Sequence, residues 1–170
     1  TLSLHDALPI FVRNPEEDIV KVAVVERHQG TGNVACGFLK GYGIKAGAVA
    51  LSIAHDSHNI IVVGVSDEEM EFAVNSLIAQ EGGMVLVKEG KVIESMPMPI
   101  AGLMSDQSGE WVDEKLTAIH AKAYEELGIA GDVEPVMTLC FMSLAVIPEV
   151  KLTDMGLFDV TTFSFIPVEA

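Results

Sequence analysis

The chain has 170 residues, 49% of them hydrophobic and 21% charged, which suits one globular domain with a core and excludes a disordered chain. Its formal net charge of −15 argues against nucleic acid or an anionic membrane surface as partner, since both would repel it. The longest apolar run, VMTLCFMSLAVI from Val136 to Ile147, is far short of the roughly 20 residues a membrane span needs, so a core element is expected there.

The opening TLSLHDALPI has no basic stretch and no small-residue cleavage site, so no export signal is expected. Its pattern does not connect with the apolar strand pattern downstream of it and resembles a translated sequencing adapter. Residues 1–17 are set apart as a non-native-looking leader, with no role for His5 or Asp6, and 18–170 are taken as the domain.

DIVKVAVVER, Asp18 to Arg27, is β-branched and apolar, a strand. The chain then turns at Gly30-Thr31-Gly32-Asn33 into a second short strand. This glycine pair matches a phosphate cradle only weakly, because no helix and no Gly-Lys-Ser/Thr follow it. A connecting turn is expected. Cys36 and Cys140 lie in apolar surroundings without a CxxC or a His-rich neighbour, which predicts two buried, reduced thiols in a cytoplasmic chain.

KAGAVALSIAH, Lys45 to His55, is expected as one strand. Ala46, Ala48, Ala50, Ser52 and Ala54 would share one face, small enough for close approach of a neighbour. Val49, Leu51, Ile53 and His55 would share the other, with His55 at its end. NIIVVGV comes next as a buried strand.

Ser66-Asp67-Glu68-Glu69 is a capping box, and Met70, Ala73, Val74, Leu77 and Ile78 form a helical stripe. The helix should run from Asp67 to about Gln80, pack its Met70–Val74–Leu77–Ile78 face on a sheet, and stop at Gly82 and Gly83. MVLVKEGKVIESMPMPI reads as a hairpin turning at Glu89-Gly90. A second helix carries Val112, Leu116, Ile119, Ala123 and Leu127 on one side and ends at Gly128; His120 beside that stripe is a boundary residue without chemistry. After the Val136–Ile147 element come a Thr153-Asp154-Met155-Gly156 turn and a final strand. The expected fold class is therefore α/β of the mixed α+β kind. A single domain is predicted, mostly β-sheet, with two main amphipathic helices packed on it.

Between two apolar strands stands SIAHDSHN, which puts His55, Asp56, His58 and Asn59 where unpaired polar groups are costly. His55, His58 and Asp56 are suitable metal ligands, but so few within four residues rarely complete a site, and no other part of the chain is rich in His or Cys. A hydrolytic triad lacks a marked nucleophile, because Ser57 has no strand–turn–helix elbow around it. The remaining readings are a polar loop lining a pocket or facing a catalytic centre on another domain, and a set of side chains that only satisfies strand ends.

Seven collinear pieces carry a family resemblance: VVERH, GTGN, GFLKGYGIKAGAVA, SIAHDSHNIIVVG, GGMVLVKEGKV, MPMPIAGLMSD and LTDMGLFDV. Together they resemble the carboxy-terminal domain of bacterial and archaeal adenine deaminases, from about Asp18 to the end. The resemblance implies a hydrolase of the amidohydrolase superfamily that turns adenine and water into hypoxanthine and ammonia, in purine salvage. In such enzymes a metal pair activates the water that attacks C6 of the ring.

The family's metal ligands and general acid/base groups belong to an amino-terminal (β/α)8 barrel. None of its motifs is in this chain, so the resemblance implies a fragment, inactive by itself. It places the divalent metal pair (Mn or Fe) in the absent barrel, with no metal ligand and no catalytic residue here. It leaves His55, Asp56, His58 and Asn59 as candidates to bind substrate or face the active site. The implied partners are the barrel and adenine, with no nucleic acid or membrane, and a homo-oligomer left open. The acidic, Met-rich composition (eight Met) also fits a domain that packs against another. Two other classes stay open: a stand-alone binding module for a small polar ligand, and a purely structural or assembly domain.

Overall fold

A computed structural model describes residues 13–168. Most of the proposed leader, residues 1–12, lies outside the described residues; in its remainder, Asn14 pairs with Ile19 across a tight turn. Six strands form one antiparallel sheet: β1 (Ile19–Val25), β2 (Val34–Lys40), β3 (Ala48–Leu51), β4 (Ile60–Gly64), β5 (Gly83–Lys88) and β6 (Lys91–Pro97). Their spatial order is β2-β1-β4-β3-β5-β6. Helix α1 (Asp67–Ala79) follows β4, while α2 (Gly109–Glu125), α3 (Pro135–Cys140) and a 3-10 turn (Phe141–Ser143) follow β6. A second sheet, β7 (Val150–Thr153), β8 (Gly156–Asp159) and β9 (Ser164–Ile166), completes the mixed α+β domain.

Alternation along the strands divides the core in two. Val20, Val22 and Val24 of β1 join Val49, Leu51, Ile61 and Leu86 on one face, covered by Ile119 and Ala123 of α2, Leu139 of α3 and Leu152 of β7. Ala23 and Val25 join Ala48, Ala50, Val62 and Val85 on the other, covered by α1. Small residues on that second face let the helix approach closely, as expected. A Cβ added to Gly64 would stand 2.6 Å from Met70 Cγ and 2.8 Å from Ala48 Cβ.

Helix α1 starts as its sequence predicts, with Ser66 Oγ accepting from the Glu69 amide at 3.3 Å. It ends where Glu81, Gly82 and Gly83 take positive φ and the Gly82 amide bonds to Leu77 O. Met70, Ala73, Val74 and Leu77 are buried, but Ile78 is 52% exposed, which corrects the predicted packing face. At about 100° per residue Ile78 falls roughly 90° from the centre of the stripe, so Ala73 takes its place. The hairpin turns at Glu89 and Gly90, both with positive φ, as the sequence indicates.

Two further expectations change. The Lys45–His55 strand shortens to Ala48–Leu51, and Ala54 joins the core of the bulky face instead of the small one. Ser52 still bonds to Gly83, after which the chain leaves the ladder. His55 therefore stands in a connecting loop, four residues beyond the strand. The Val136–Ile147 run is core only in its first part. The Leu144 amide turns back to Phe141 O, and Val146 and Ile147 emerge into solvent.

An ion pair without a sequence signal sits under the start of α1: Lys21 Nζ lies 2.5 Å from Asp67 Oδ1, with both side chains largely buried. Both thiols are free, Cys140 buried and Cys36 half-buried. Burial pushes the Cys36 thiol up to about 12 and Cys140 upward as well.

Candidate functional site

One end of the six-stranded sheet gathers the connections β1–β2, β3–β4 and α1–β5 and the segment after β6. The β3–β4 loop, residues 52–59, is tied to all of its neighbours. Ser52 Oγ accepts from the Gly83 amide at 2.7 Å and donates to Gly102 O at 2.5 Å. Cys140 Sγ donates to Ile53 O at 2.7 Å, and the His55 amide donates to Cys140 O at 2.8 Å. Ser143 Oγ donates to His55 O at 3.0 Å.

The second half of the loop hangs on the end of β1. His28 Nε2 lies 2.8 Å from Ser57 O, and Arg27 Nε donates to His58 O at 2.5 Å. Arg27 Nη2 also reaches Ala101 O at 2.9 Å, so one guanidinium fastens two loops. Burial lowers the pKa of Arg27, and among the described residues no carboxylate pairs with it. Asn59 is buried and accepts the Arg27 amide on Oδ1 at 3.3 Å. The carbonyls of Ile53, Ala54, His55, Ser57 and His58 are all occupied, which holds the loop in one shape.

Of the four predicted site residues, His55, Asp56 and His58 present side chains at this end, while Asn59 turns inward. The His55 ring stacks on Phe141 at 5.5 Å and lies 6.0 Å from the His58 ring, centre to centre. Nδ1 of each histidine is sealed from solvent and unbonded among the described residues. For His55, Asp56 Oδ1 is near at 3.2 Å but is not aligned for a hydrogen bond. Nε2 is thus the nitrogen each ring can offer, as donor or acceptor according to tautomer.

Chemical alternatives narrow accordingly. Among the described residues no three His, Cys, Asp or Glu side chains converge as a metal site, so these donors do not fit the metal pair that the family resemblance implies. Ser57 Oγ accepts from the Asn59 amide at 3.4 Å, and among the described residues no serine hydroxyl is hydrogen-bonded to a histidine ring. The Gly30–Asn33 segment is a connecting turn. Glu26 fills its cradle by accepting from the amides of Thr31 at 3.0 Å, Gln29 at 2.7 Å and His28. Those bonds, led by the Thr31 and Gln29 amides, pull the Glu26 carboxyl down to about 2.

Beside the loop opens a cleft of about 360 Å³, lined by Val25, Arg27, Ser52, Ile60, Ile78 and Gly82. A larger one, about 710 Å³, lies at the opposite end of the sheet among Asp18, Gly43, Lys45, Tyr124 and Gly128, away from the histidines. His120, assigned no chemistry from sequence, contacts Glu134, whose carboxylate also caps α3 through the Met137 amide. No local pattern marks Arg27, Phe141 or Ser143 as loop partners. They lie 31 or more residues from the loop residues they touch.

The family model described as "Adenine deaminase C-terminal domain" matches residues 2–164, a span that takes in most of the segment set apart as a leader. The chain is 72% identical over 160 residues to "Adenine deaminase 2" of Desulfotalea psychrophila, covering 94% of this chain and 28% of that protein. It is 54% identical over 159 residues to "Adenine deaminase" of Ligilactobacillus salivarius, with the same coverages. To "Adenine deaminase 2" of Carboxydothermus hydrogenoformans it is 51% identical over 158 residues, covering 93% of this chain and 28% of that protein. The chain thus spans little more than a quarter of the length of these relatives. With its family model matched along nearly its whole length, the chain belongs to the adenine deaminase C-terminal domain family.

Proposed function

We propose that this chain is the carboxy-terminal domain of a metal-dependent adenine deaminase, which converts adenine and water to hypoxanthine and ammonia in cytoplasmic purine salvage. The observation that carries this is the 72% identity over 94% of the chain to a protein named adenine deaminase. We place the metal pair, Mn or Fe, on an amino-terminal (β/α)8 barrel, because no ligand set for it converges among the described residues. Residues 18–170 are taken as the domain that meets this barrel. No described helix is long and apolar enough to cross a membrane.

Within this reading the His55–His58 loop faces the substrate or the catalytic domain. Adenine offers ring nitrogens as acceptors and an exocyclic amine as donor, which His55 Nε2, His58 Nε2 and the Asp56 carboxylate can match. Asn59 and Arg27 hold the loop from behind. A purely structural loop is the competing reading, and the occupied loop carbonyls are what favour it.

The test of the domain assignment is ammonia release from adenine. The isolated chain with added Mn(II) or Fe(II) should stay at the metal-only blank, and the full-length protein should be active. Turnover well above the blank by the isolated chain would overturn the assignment of catalysis to the barrel.

A further inference from the structure

In the small sheet, Leu152, Leu157 and Ile166 are register partners and share one face. That face meets β2, where a Cβ on Gly37 would come 3.2 Å from Leu157 Cδ2 and 3.7 Å from Leu152 Cδ1. The next register row, Lys151–Phe158–Phe165, points the opposite way. Alternation would make this outer row polar if water were its permanent neighbour. Past Lys151 on the first strand, the row is aromatic instead, Phe158 and Phe165. The Phe158 ring lies 5.2 Å from Phe163 and 5.3 Å from Phe165, both edge-on, and Phe163 and Phe165 are 77% and 52% exposed.

The turn before β9 holds Phe163 outward. Asp159 accepts from the hydroxyls of Thr161 and Thr162 and from both their amides, which fixes the turn. Phe163 then sits at a φ of 52°, a left-handed conformation that is costly for a bulky side chain. Exposed apolar residues also line the chain between the histidine loop and this face. Ser143, bonded to His55 O, is followed by Val146, 71% exposed, and Ile147 and Val150, also exposed.

We propose that the outer face of β7–β8–β9 is an intramolecular docking surface for the part of the full-length protein that lies outside this chain. This inference rests on the reading above, in which the chain is one domain of a longer deaminase. A second copy is the poorer occupant, because two bodies each carrying −15 repel. The relatives supply the better one, since most of their length lies outside the span that this chain matches. A preformed aromatic cluster loses little side-chain freedom on docking and removes large rings from water.

The experiment uses the full-length protein with a photoreactive aromatic, Phe165→p-benzoylphenylalanine, and the same replacement at Phe72, exposed on the outer side of α1 and away from the histidine loop, as control. Illumination should join position 165 to a peptide of the same molecule outside the matched span, and position 72 should give no such link. A product joining two copies through position 165 would overturn the proposal, as would links confined to this domain. Ammonia release from adenine is measured on the same samples. Activity with position 165 unlinked sinks the docking face and spares the deaminase reading; a link without any activity in the unmodified protein does the reverse.

Discussion

Arg27 and His58 are joined across the end of the sheet: Arg27 Nε donates to the His58 carbonyl at 2.5 Å while the Arg27 amide is held by Asn59, the next residue. Two strands that pair in register, with Val25 opposite Ile60, thereby become one rigid support for the histidine loop. The guanidinium does this without a carboxylate partner among the described residues, so its hydrogen bonds to carbonyls carry its stabilising role.

Replacing Arg27 by Met should therefore loosen the loop without dissolving the fold. Hydrogen bonds from charged donors contribute about 1.5–3 kcal/mol each when buried. Half-exposure reduces this, and a total loss of about 1–2 kcal/mol is expected in denaturant unfolding. Hydrogen exchange at the amides of His58 and Leu103 should accelerate. Unchanged exchange and stability would mean that the loop holds itself.

The buried pair Lys21–Asp67 predicts an asymmetry. Asp67→Ala leaves an ammonium in an apolar layer beside Ala23 and Cys36 and removes a negative charge from the first turn of α1. Breaking such a pair costs about 3–5 kcal/mol when fully buried, so about 2–3 kcal/mol is expected for this partly shielded one. Lys21→Met removes the more deeply buried charge and leaves Asp67, the more exposed partner, at the helix N-terminus that favours a carboxylate, so it should cost less, about 1–2 kcal/mol. Equal losses in the two variants, measured by chemical denaturation, would count against this account.

The features legible in the sequence are those that local chemistry dictates. Ser66 and the Gly82-Gly83 stop mark the limits of α1, Glu89-Gly90 marks the hairpin, and the Ala48/Ala50 face marks the close approach of the helix. Ile78 falls outside the buried face because a stripe wide enough to include it exceeds what a flat sheet can cover. The end of β3 is not legible because period-two alternation persists through Ile53 while the backbone has already left the ladder at Ser52. The histidine loop itself is visible as a polar interruption. Its supports are not, since Arg27, Cys140 and Ser143 meet it only through tertiary folding, and nothing local in their sequence announces that.

Glu26 predicts an acid-side dependence. Its folded-state pKa of about 2 lies below the ordinary 4.5, so the stability it contributes is present above the ordinary value. That contribution should fade as the pH falls from about 5 toward about 2, when protonation releases the amides of Thr31, Gln29 and His28. Many other carboxylates titrate there too, so the measurement is a difference. Glu26→Gln should reduce stability at neutral pH and show a shallower loss than the parent between those limits. Parallel curves for the two proteins would mean that the turn does not depend on the charge.

The last prediction concerns the histidines in the full-length protein. His58 holds a φ of 56°, in the left-handed region, so His58→Ala combines loss of the imidazole with backbone strain of about 1 kcal/mol. Asn tolerates that conformation and is the cleaner replacement. A site that hydrogen-bonds its substrate loses much of its efficiency when one partner goes. His55→Ala and His58→Asn should each lower kcat/KM for adenine at least about tenfold, roughly 1.4 kcal/mol, while Tm and metal content change little. Asp56→Asn keeps the shape and removes the charge beside His55 Nδ1, so it should weaken the activity less than loss of the ring. Undiminished activity per folded molecule, with stability reduced by several kcal/mol, would make the loop a structural closure of β3 and β4. The bonds that bind its carbonyls to Cys140, Ser143, His28 and Arg27 would then be its whole purpose.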